Sequence, residues 1–411
     1  MKRDMVKSVA MSCGMLLALL VLAYGAQLLP NRGAAGLLRA GVAQARGRNS
    51  IWWNSLWKSN NGYYEQLMTG DGDPRIMNSP VTRFLRHQDP WGKPLPQIYQ
   101  DNGGFMLSET KPNLDFLDEL EGPIKTNSRA LFDKEYSLTK PPGVRRVAVL
   151  GDSISRGWCV PTDDRFDTLI EKNLRTESGE PFEFINFGVS GYHMTQIYDV
   201  AMEKVPAYQP DVYLLMLSQL SITPTWGAHV VQLVENNRDL KYDFLKKVVK
   251  ESGLQKGDSP GLAEVKLAPY RFTILREMLL RMKADAEAHS AQFVVALVPA
   301  GEDPDVIANH FRGINQSLDG TGIPVINLLD AFSGVDAGTT RRAWYDAHPN
   351  ALGQRLIAED LEQKLRADQN IWTAFEGVPE HVQQPQNAKI KVKSANKQSI
   401  ATSATPPAAG N

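Results

Sequence analysis

The stretch that decides the fold is Val147-Ala148-Val149-Leu150-Gly151-Asp152-Ser153, a short apolar run that ends in Gly-Asp-Ser. Short apolar runs bounded by turn-forming residues are typical of strands that a parallel sheet buries on both faces. Further runs of this kind follow along the chain, near residues 184–187, 212–217, 293–298 and 325–329. The sequence from about residue 145 therefore predicts a set of buried, parallel strands.

Helical patterns alternate with these strands, over about residues 164–174, 195–204, 270–289 and 349–365. Alternation of strand and helix predicts a parallel sheet with helices on both sides. We therefore expect an α/β fold with three layers, α/β/α, around a parallel sheet of about five strands. Ligands of such sheets bind beyond the carboxyl ends of the strands.

Composition excludes several classes of protein. The 411 residues include 45 Lys plus Arg and 46 Asp plus Glu, so no basic excess is available for a nucleic-acid partner. Two cysteines exclude a disulfide scaffold and a four-cysteine metal site. The chain also lacks a phosphate-binding Gly-Lys-Ser/Thr loop, a His-Glu-x-x-His motif and a Rossmann glycine fingerprint.

The N-terminal segment, residues 1–30, carries an apolar stretch of about 20 residues from Val9 to Leu29, after Lys2, Arg3 and Lys7. That length suits a transmembrane helix, so we expect an uncleaved signal anchor. A cleaved signal peptide and a buried soluble helix are the alternatives. An anchor implies a single-pass protein of the inner (cytoplasmic) membrane with its bulk on the extracytoplasmic side. Cleavage implies a secreted protein.

Three further segments are expected. Residues 31–140 form an aromatic-rich, irregular extension, for which we expect short helices and loops packed on the main domain. Residues 141–368 form that main domain, and residues 223–267 interrupt its rhythm as a cap insertion. Residues 369–411 form a C-terminal segment that is largely disordered, because it lacks a sustained apolar period from about residue 384.

Two motifs carry residues suited to nucleophilic catalysis. Ser153 follows the first strand directly, which presents its hydroxyl at the sheet edge, where backbone N–H groups can stabilise an oxyanion. Asp346 and His348 precede the last helix and so reach the same edge. A serine nucleophile needs a base, and the base needs a carboxylate to orient it. Each motif alone also fits an ordinary turn or helix cap.

Together the motifs resemble the SGNH family of serine hydrolases, the GDSL esterases and lipases, over about residues 125–368. The first block is Val149-Leu150-Gly151-Asp152-Ser153 with Gly157. The second is Ile185-Asn186-Phe187-Gly188-Val189-Ser190-Gly191-Tyr192, and the last is Asp346-Ala347-His348-Pro349-Asn350. The lead-in from Asn127 to Gly143 is similar to that of a membrane-linked bacterial subgroup. The resemblance implies the flavodoxin-like SGNH hydrolase fold.

The resemblance also implies roles for individual residues. Ser153 corresponds to the nucleophile, His348 to the general base and Asp346 to its orienting partner. The N–H groups of Ser153 and Gly191 correspond to oxyanion-hole donors. No metal and no diffusible cofactor is implied.

The sequence departs from the family after the third strand, where relatives place an Asn. Here Leu217-Ser218-Gln219-Leu220-Ser221 puts Leu220 at that position. Loss of one oxyanion donor costs about 10²–10³ in rate. We hypothesise that Gln219, or alternatively Ser218, replaces it. Relatives in the subgroup also often carry Gly and Arg where Ala130 and Phe132 stand.

Two other readings concern polar residues near these motifs. His193 follows Gly191 closely and either lines the pocket or, as the sequence favours, lies on the surface. Arg341 and Arg342 either hold an anionic substrate group or are solvated charges, which is the default for exposed arginines.

Three functions compete. The leading one is a membrane-tethered extracytoplasmic serine esterase that cleaves a carboxylic ester, of an acylated small molecule, carbohydrate or envelope polymer, through an acyl-serine intermediate. A polysaccharide O-acyltransferase with the same triad is the second. The third is a catalytically inactive descendant that binds a glycan or partner protein. The expected partners are the acylated substrate and, through the N-terminal helix, the membrane; the oligomeric state stays open.

Overall fold

The structure is a computed structural model that describes residues 97–101, 103–118, 122–222, 226–300, 304–343 and 346–377. The predicted membrane anchor at residues 1–30, much of the extension and the chain beyond residue 377 lie outside these residues, so those expectations stay predictions. Within the described ranges, no helix combines the length and apolarity that a membrane crossing requires.

Short strands and longer helices alternate along the described chain. The strands are β1 (Tyr99–Asp101), β2 (Ser108–Thr110), β3 (Asp115–Asp118), β4 (Gly122–Lys125), β5 (Arg145–Leu150), β6 (Phe182–Asn186), β7 (Val212–Ser218), β8 (Gln292–Val298), β9 (Val325–Asn327), β10 (Arg341–Ala343) and β11 (Asp346–Pro349). The helices are α1 (Ser153–Arg156), α2 (Phe166–Asn173), α3 (Met194–Glu203), α4 (Ala228–Glu235), α5 (Asp243–Ser252), α6 (Pro260–Leu267), α7 (Arg271–Ala288), α8 (Pro304–Leu318), α9 (Ala337–Thr340), α10 (Ala351–Ala367) and α11 (Gln369–Glu376).

The central sheet has five parallel strands in the order β6-β5-β7-β8-β9, which confirms the predicted parallel sheet flanked by helices. In register, Val147 of β5 lies opposite Phe184 of β6 and Val212 of β7. Counting the sheet strands from β5, the order is 2-1-3-4-5, the flavodoxin-like arrangement, whose ligand crevice lies between the first and third strands. That crevice lies where β5 and β7 end.

Alternate residues of β5 face opposite sides of the sheet, and both sides are buried. Val147 and Val149 pack in a cluster with residues of α2, α10 and α11. Ala148 and Leu150 pack in a second cluster with residues of α3, α7 and α8. All four residues are fully buried, which explains why the strand reads as a continuous apolar run.

The described part of the extension forms small antiparallel hairpins, β1–β2 and β3–β4, instead of the short helices that we expected. Ile98, Phe105 and Phe132 of this segment belong to the same apolar cluster as α3 and α7. The backbone of a hairpin satisfies its own hydrogen bonds, so a segment without a helical period still packs on the core.

The two remaining predicted segments contain regular structure. Helices α4, α5 and α6 fill most of the predicted cap insertion between β7 and α7. The segment expected to be largely disordered begins with α11, in which Ile371, Trp372 and Phe375 are buried. Because those three residues are buried, regular structure continues past the predicted boundary at residue 369, at least to Glu376.

Candidate active site

A tight turn delivers Ser153 to the carboxyl edge of the sheet. β5 ends at Leu150, and Gly151 has a φ of +157°. A Cβ on Gly151 would come within 1.9 Å of Ser155 Oγ and 3.0 Å of the Met216 carbonyl, so only glycine fits there. Asp152 caps helix α1, with Oδ1 accepting from the Ile154 N–H at 2.9 Å. Ser153 is therefore the first residue of α1, and it is 1% exposed.

Ser153, His348 and Asp346 form one hydrogen-bonded chain. Ser153 Oγ lies 2.7 Å from His348 Nε2, and His348 Nδ1 lies 2.6 Å from Asp346 Oδ1. Because a carboxylate only accepts, Nδ1 carries a proton, and Nε2 is left to accept the proton of the serine hydroxyl. The His348 backbone N–H also donates to Asp346 Oδ1 at 3.1 Å. The structure thus brings together the three residues that the sequence predicted to meet.

The carboxylate of Asp346 is kept ionised by its neighbours. Burial opposes its ionisation, but the charge of His348, hydrogen bonds from His348 and the charge of Arg342 outweigh burial and hold the pKa of Asp346 well below its usual range. Arg342 Nη1 lies 3.1 Å from Asp346 Oδ2. Neither interpretation of Arg342 from the sequence included this contact. The sequence feature that could have indicated it is the four-residue spacing of Arg342 and Asp346 across the β10–β11 hairpin.

Trp158 is a second residue of the site that sequence reasoning missed. Its ring meets the His348 ring edge-on, with centroids 4.7 Å apart. The Arg342 guanidinium lies 4.6 Å from the Trp158 ring centroid. Trp158 thus packs against His348 and also against Arg342, which pairs with Asp346. These contacts restrict the orientation of the His348 and Arg342 side chains.

The loop that contains Gly191 lies against the turn that holds Ser153. Its Phe187 and Val189 N–H groups donate to the carbonyls of Val149 and Gly151 at 2.8 and 3.3 Å. Gly191 is buried and has a φ of +83°, a conformation that favours glycine. The structure therefore places the predicted oxyanion donor on a loop beside the nucleophile turn.

The two candidate replacements for the missing Asn behave differently. The Ser218 hydroxyl donates to Asp152 Oδ2 at 2.5 Å, and the Ser221 hydroxyl donates to the same oxygen at 2.7 Å. The proton of Ser218 is therefore engaged in bracing the nucleophile turn. Gln219 directly follows β7 at the carboxyl edge and is 3% exposed. Ser218 is thus engaged with Asp152, and the role of Gln219 as the replacement stays a prediction.

His193 is buried, so the surface position that the sequence favoured is wrong. It is 6% exposed, and burial lowers its pKa to about 4, which keeps the ring neutral at pH 7. Neither ring nitrogen has a hydrogen-bond partner among the described residues.

The two departures in the extension have different structural settings. Ala130 has a φ of +64°, a conformation that suits the Gly found there in relatives. The Phe132 ring lies 3.6 Å from the guanidinium of Arg156, and Arg156 Nη1 donates to Ser190 Oγ at 2.8 Å. Phe132 thus packs on an arginine that contacts the loop of Gly191.

The part of the chain that the structure describes holds no group of three or more His, Cys, Asp or Glu that could bind a metal ion.

Comparisons with known proteins give the family. Residues 149–356, just over half of the chain, match the GDSL-like lipase/acylhydrolase family. A search of the curated proteins found no match. Among solved structures, the chain is similar to the acetylxylan esterase Axe2 from Geobacillus stearothermophilus, at 14% identity and a TM-score of 0.37, covering 54% of this chain and 94% of that one.

Two further solved structures give the same level of similarity. The esterase EstA from Pseudoalteromonas sp. has 14% identity and a TM-score of 0.34, covering 54% of this chain and 97% of that one. TesA has 14% identity and a TM-score of 0.36, covering 54% of this chain and 99% of that one. The family match runs from the end of β5 into α10 and includes the loop of Gly191 and all three residues of the hydrogen-bonded chain. The protein therefore belongs to the GDSL-like lipase/acylhydrolase family and is a hydrolase that acts on ester bonds.

Proposed function

We propose that the protein is a serine esterase that works through an acyl-Ser153 intermediate. The observation that carries the proposal is the continuous chain from Ser153 Oγ to His348 at 2.7 Å and from His348 to Asp346 at 2.6 Å. A binding protein without catalysis has no need of a nucleophile, a base and an orienting carboxylate in one line. The inactive descendant is therefore the weakest of the three functions.

Each residue of the triad has a defined part in the reaction. Ser153 Oγ bonds to the ester carbonyl carbon while its proton passes to His348 Nε2. Asp346 stabilises the resulting imidazolium and keeps the ring oriented. The C–O bond to the alcohol then breaks, and the alcohol leaves with the proton from Nε2. In the second half, water attacks the acyl carbon while His348 Nε2 takes a proton from it. The bond from the acyl carbon to Ser153 Oγ then breaks, Nε2 returns the proton to Oγ, and the carboxylic acid leaves.

The developing negative charge on the carbonyl oxygen needs donors. We assign them as the backbone N–H groups of Ser153 and Gly191 and the side-chain amide of Gln219. The loop of Gly191 lies beside the turn of Ser153, and Gln219 follows the neighbouring strand β7. Donors that are fixed before the reaction stabilise charge most effectively, because they do not have to reorganise.

A fluorophosphonate probe tests the proposal. The full chain is treated with the probe, and the adduct is located by peptide mass spectrometry. We expect an adduct on Ser153 that is lost in Ser153→Ala and in His348→Ala. Ser155→Ala is the matched control, because Ser155 is also buried and lies on the same helix, and it should still label at Ser153. A folded wild-type protein without an adduct on Ser153, or one whose labelling does not depend on His348, contradicts the proposal.

The membrane tether belongs to the proposal as well. The apolar stretch from Val9 to Leu29 supports a single-pass anchor in the inner membrane, with the main domain of residues 141–368 on the extracytoplasmic side. Carbonate extraction of membranes and protease digestion of spheroplasts test this. An anchored protein stays with the membrane in carbonate and is digested from outside. Release into the carbonate supernatant contradicts the anchor, and full protection from protease contradicts the orientation.

We propose an acylated carbohydrate or envelope polymer as the substrate class. One observation also favours the acyltransferase alternative, since Ser153 is only 1% exposed. Transfer to a sugar hydroxyl requires the acyl-enzyme to be protected from water. Product analysis with a radiolabelled acyl donor separates the two functions. An esterase releases free acid with or without an acceptor glycan, whereas a transferase labels the glycan.

A further inference from the structure

Residues 105–108 of the extension are buried, and three of their carbonyl oxygens meet side chains from the loop of Gly191, from α3 and from α4. Phe105, Met106, Leu107 and Ser108 are all buried, and Leu107 has a φ of +59°. Within this turn the Met106 carbonyl already accepts from the Ser108 N–H at 2.6 Å. A buried carbonyl without a donor is costly, so each needs a partner.

Three buried side chains of the family domain provide those partners. The Tyr192 hydroxyl donates to the Ser108 carbonyl at 2.9 Å, and Gln196 Nε2 donates to the Met106 carbonyl at 3.1 Å. His229 Nε2 lies 2.6 Å from the Phe105 carbonyl. Burial lowers the pKa of His229 to about 3, so its ring is neutral and carries a single proton, which this carbonyl accepts.

Two of these partners are joined directly to the Gly191 turn. The Tyr192 N–H donates to the Val189 carbonyl at 3.3 Å, which closes a four-residue turn with Gly191 at its third position. A positive φ at that position is the pattern of a type II turn. The orientation of the Gly191 N–H therefore depends on the position of Tyr192. The Tyr192 hydroxyl is in turn fixed by its hydrogen bond to the Ser108 carbonyl.

Gln196 fixes the other side of the same turn. Its Oε1 accepts from the His193 backbone N–H at 3.1 Å while its Nε2 reaches the Met106 carbonyl. Gln196 is fully buried, so water does not compete for either contact. One side chain thus connects residues 105–108 to the backbone two residues after Gly191.

We propose that residues 105–108 act as a clamp that positions the Gly191 N–H in the oxyanion hole through Tyr192 and Gln196. The inference rests on the proposed function, in which Gly191 is an oxyanion donor. It makes Tyr192 and Gln196 positioning residues, and it makes the extension part of the catalytic apparatus although it lies outside the region that matches the family. A displacement of about 1 Å in such a donor can cost about 10² in rate.

The test compares Tyr192→Phe, Gln196→Met and the double variant in the full chain. Tyr192→Phe removes only the hydroxyl and keeps the ring. We expect kcat for a p-nitrophenyl ester to fall about tenfold in each single variant and about 10²-fold in the double variant, because the interaction is made in the transition state. KM should stay within about twofold for the same reason, and the acid limb of the pH–kcat profile should not move, since His348 and Asp346 are untouched.

Amide hydrogen exchange of peptides that cover residues 187–193 provides a readout that needs no turnover. The clamp variants should exchange faster there than the wild type. Tyr198→Phe is the matched control. Tyr198 lies on the same helix as Gln196 and is also buried, but its ring packs against Tyr242 and Phe244. It should change neither kcat nor exchange in these peptides.

The outcomes separate the clamp from the proposed function. Wild-type exchange at residues 187–193 in the double variant overturns the clamp, whatever the activity. A kcat within twofold of the wild type in the double variant also overturns it. Ester turnover that persists in Ser153→Ala overturns the proposed function. The hydrogen-exchange measurement then still decides whether the clamp exists.

Discussion

The two ends of strand β5 carry different kinds of polar network. At the amino end, Arg146 is fully buried and donates through Nε and Nη2 to Glu183 Oε2 at 2.8 and 2.6 Å, and through Nη1 to the Tyr208 carbonyl at 2.6 Å. Asp211 accepts there from Lys140 and from the Arg146 backbone N–H. Every charge at this end faces a fixed opposite charge or dipole.

At the carboxyl end, the central contact joins a hydroxyl and an imidazole. The Ser153 hydroxyl lies against His348 Nε2, and the carboxylate of Asp346 lies beyond the ring. A proton can move along this line because the imidazole can become charged and the carboxylate then stabilises it. The first network instead pairs arginine and lysine with carboxylates and a backbone carbonyl. The comparison shows that burial of polar groups alone does not identify a catalytic site; a group able to change its protonation state does.

The largest effect on this comparison is expected from Asp346→Asn, which converts the acceptor at the carboxyl end into a donor. The amide favours the tautomer with the proton on Nε2, so His348 no longer accepts from Ser153. We expect kcat to fall by about 10⁴. Steady-state turnover of a p-nitrophenyl ester measures it, and thermal unfolding shows whether the fold is retained. A loss of less than tenfold in a folded variant contradicts the role of Asp346.

The opposite result is expected at the amino end for Arg146→Met. Removal of one partner leaves the carboxylate of Glu183 and two buried acceptors without their donor, so the free energy of unfolding should fall by about 3 kcal/mol. Turnover per folded molecule should stay unchanged. Lys172→Met is the matched control, because its pair with Asp163 is exposed on both sides and should contribute less than about 1 kcal/mol. Urea unfolding measures both variants, and an equal effect of the two contradicts the distinction.

The sheet and the meeting of the three triad residues could be predicted because both follow from regular geometry. Parallel strands place their carboxyl ends at one edge, so Ser153 after β5 and His348 before α10 had to approach each other. The contacts that support the triad follow no such rule. Arg342 reaches Asp346 across a short hairpin, and Trp158 contacts His348 from a loop. Such contacts depend on how loops cross one another.

The clamp was hidden from sequence for a related reason. Residues 105–108 contribute backbone carbonyls, and every residue has one, so their identities give no signal. The side chains of Tyr192 and Gln196 look like ordinary helix-start residues until the chain that covers them is known. His193 was expected at the surface but is 6% exposed, and no pattern in the sequence around it indicates this burial.

Gln219→Ala tests how far the carboxyl end departs from its family. If the Gln219 amide replaces the missing Asn, kcat should fall by about 10²–10³, or roughly 2.7–4 kcal/mol of transition-state stabilisation. Gln219→Glu should be at least as poor, because a carboxylate cannot donate and repels an oxyanion. Ser218→Ala is the comparison, and it should affect the nucleophile turn through Asp152. Wild-type turnover in Gln219→Ala shows that Gln219 is not the donor.

The smallest effect is expected for Arg342→Ala, which removes the cation that pairs with Asp346 at the carboxyl end. Arg342 helps to hold the pKa of Asp346 below its usual range. A carboxyl whose pKa is lowered in the folded state contributes stability that is present above its unfolded pKa and is lost as the pH falls through the folded pKa. The Arg342 side chain is 28% exposed, so the loss at pH 7 should stay below about 1 kcal/mol.

The sign of the pH dependence separates this charge effect from the packing of Arg342 on Trp158. If the charge of Arg342 acts on Asp346, the stability difference between Arg342→Ala and the wild type shrinks as the pH falls through the lowered pKa of Asp346 in the folded protein, because protonated Asp346 no longer attracts Arg342. Arg342→Lys keeps the positive charge, so at pH 7 it should retain most of the stability that Arg342→Ala loses. Urea unfolding of the three proteins at pH 7 and at low pH measures it. If the difference in the free energy of unfolding is the same at both pH values, Arg342 acts through its contact with the Trp158 ring. Arg342 then stabilises the carboxyl end of β5 without influencing the ionisation of Asp346.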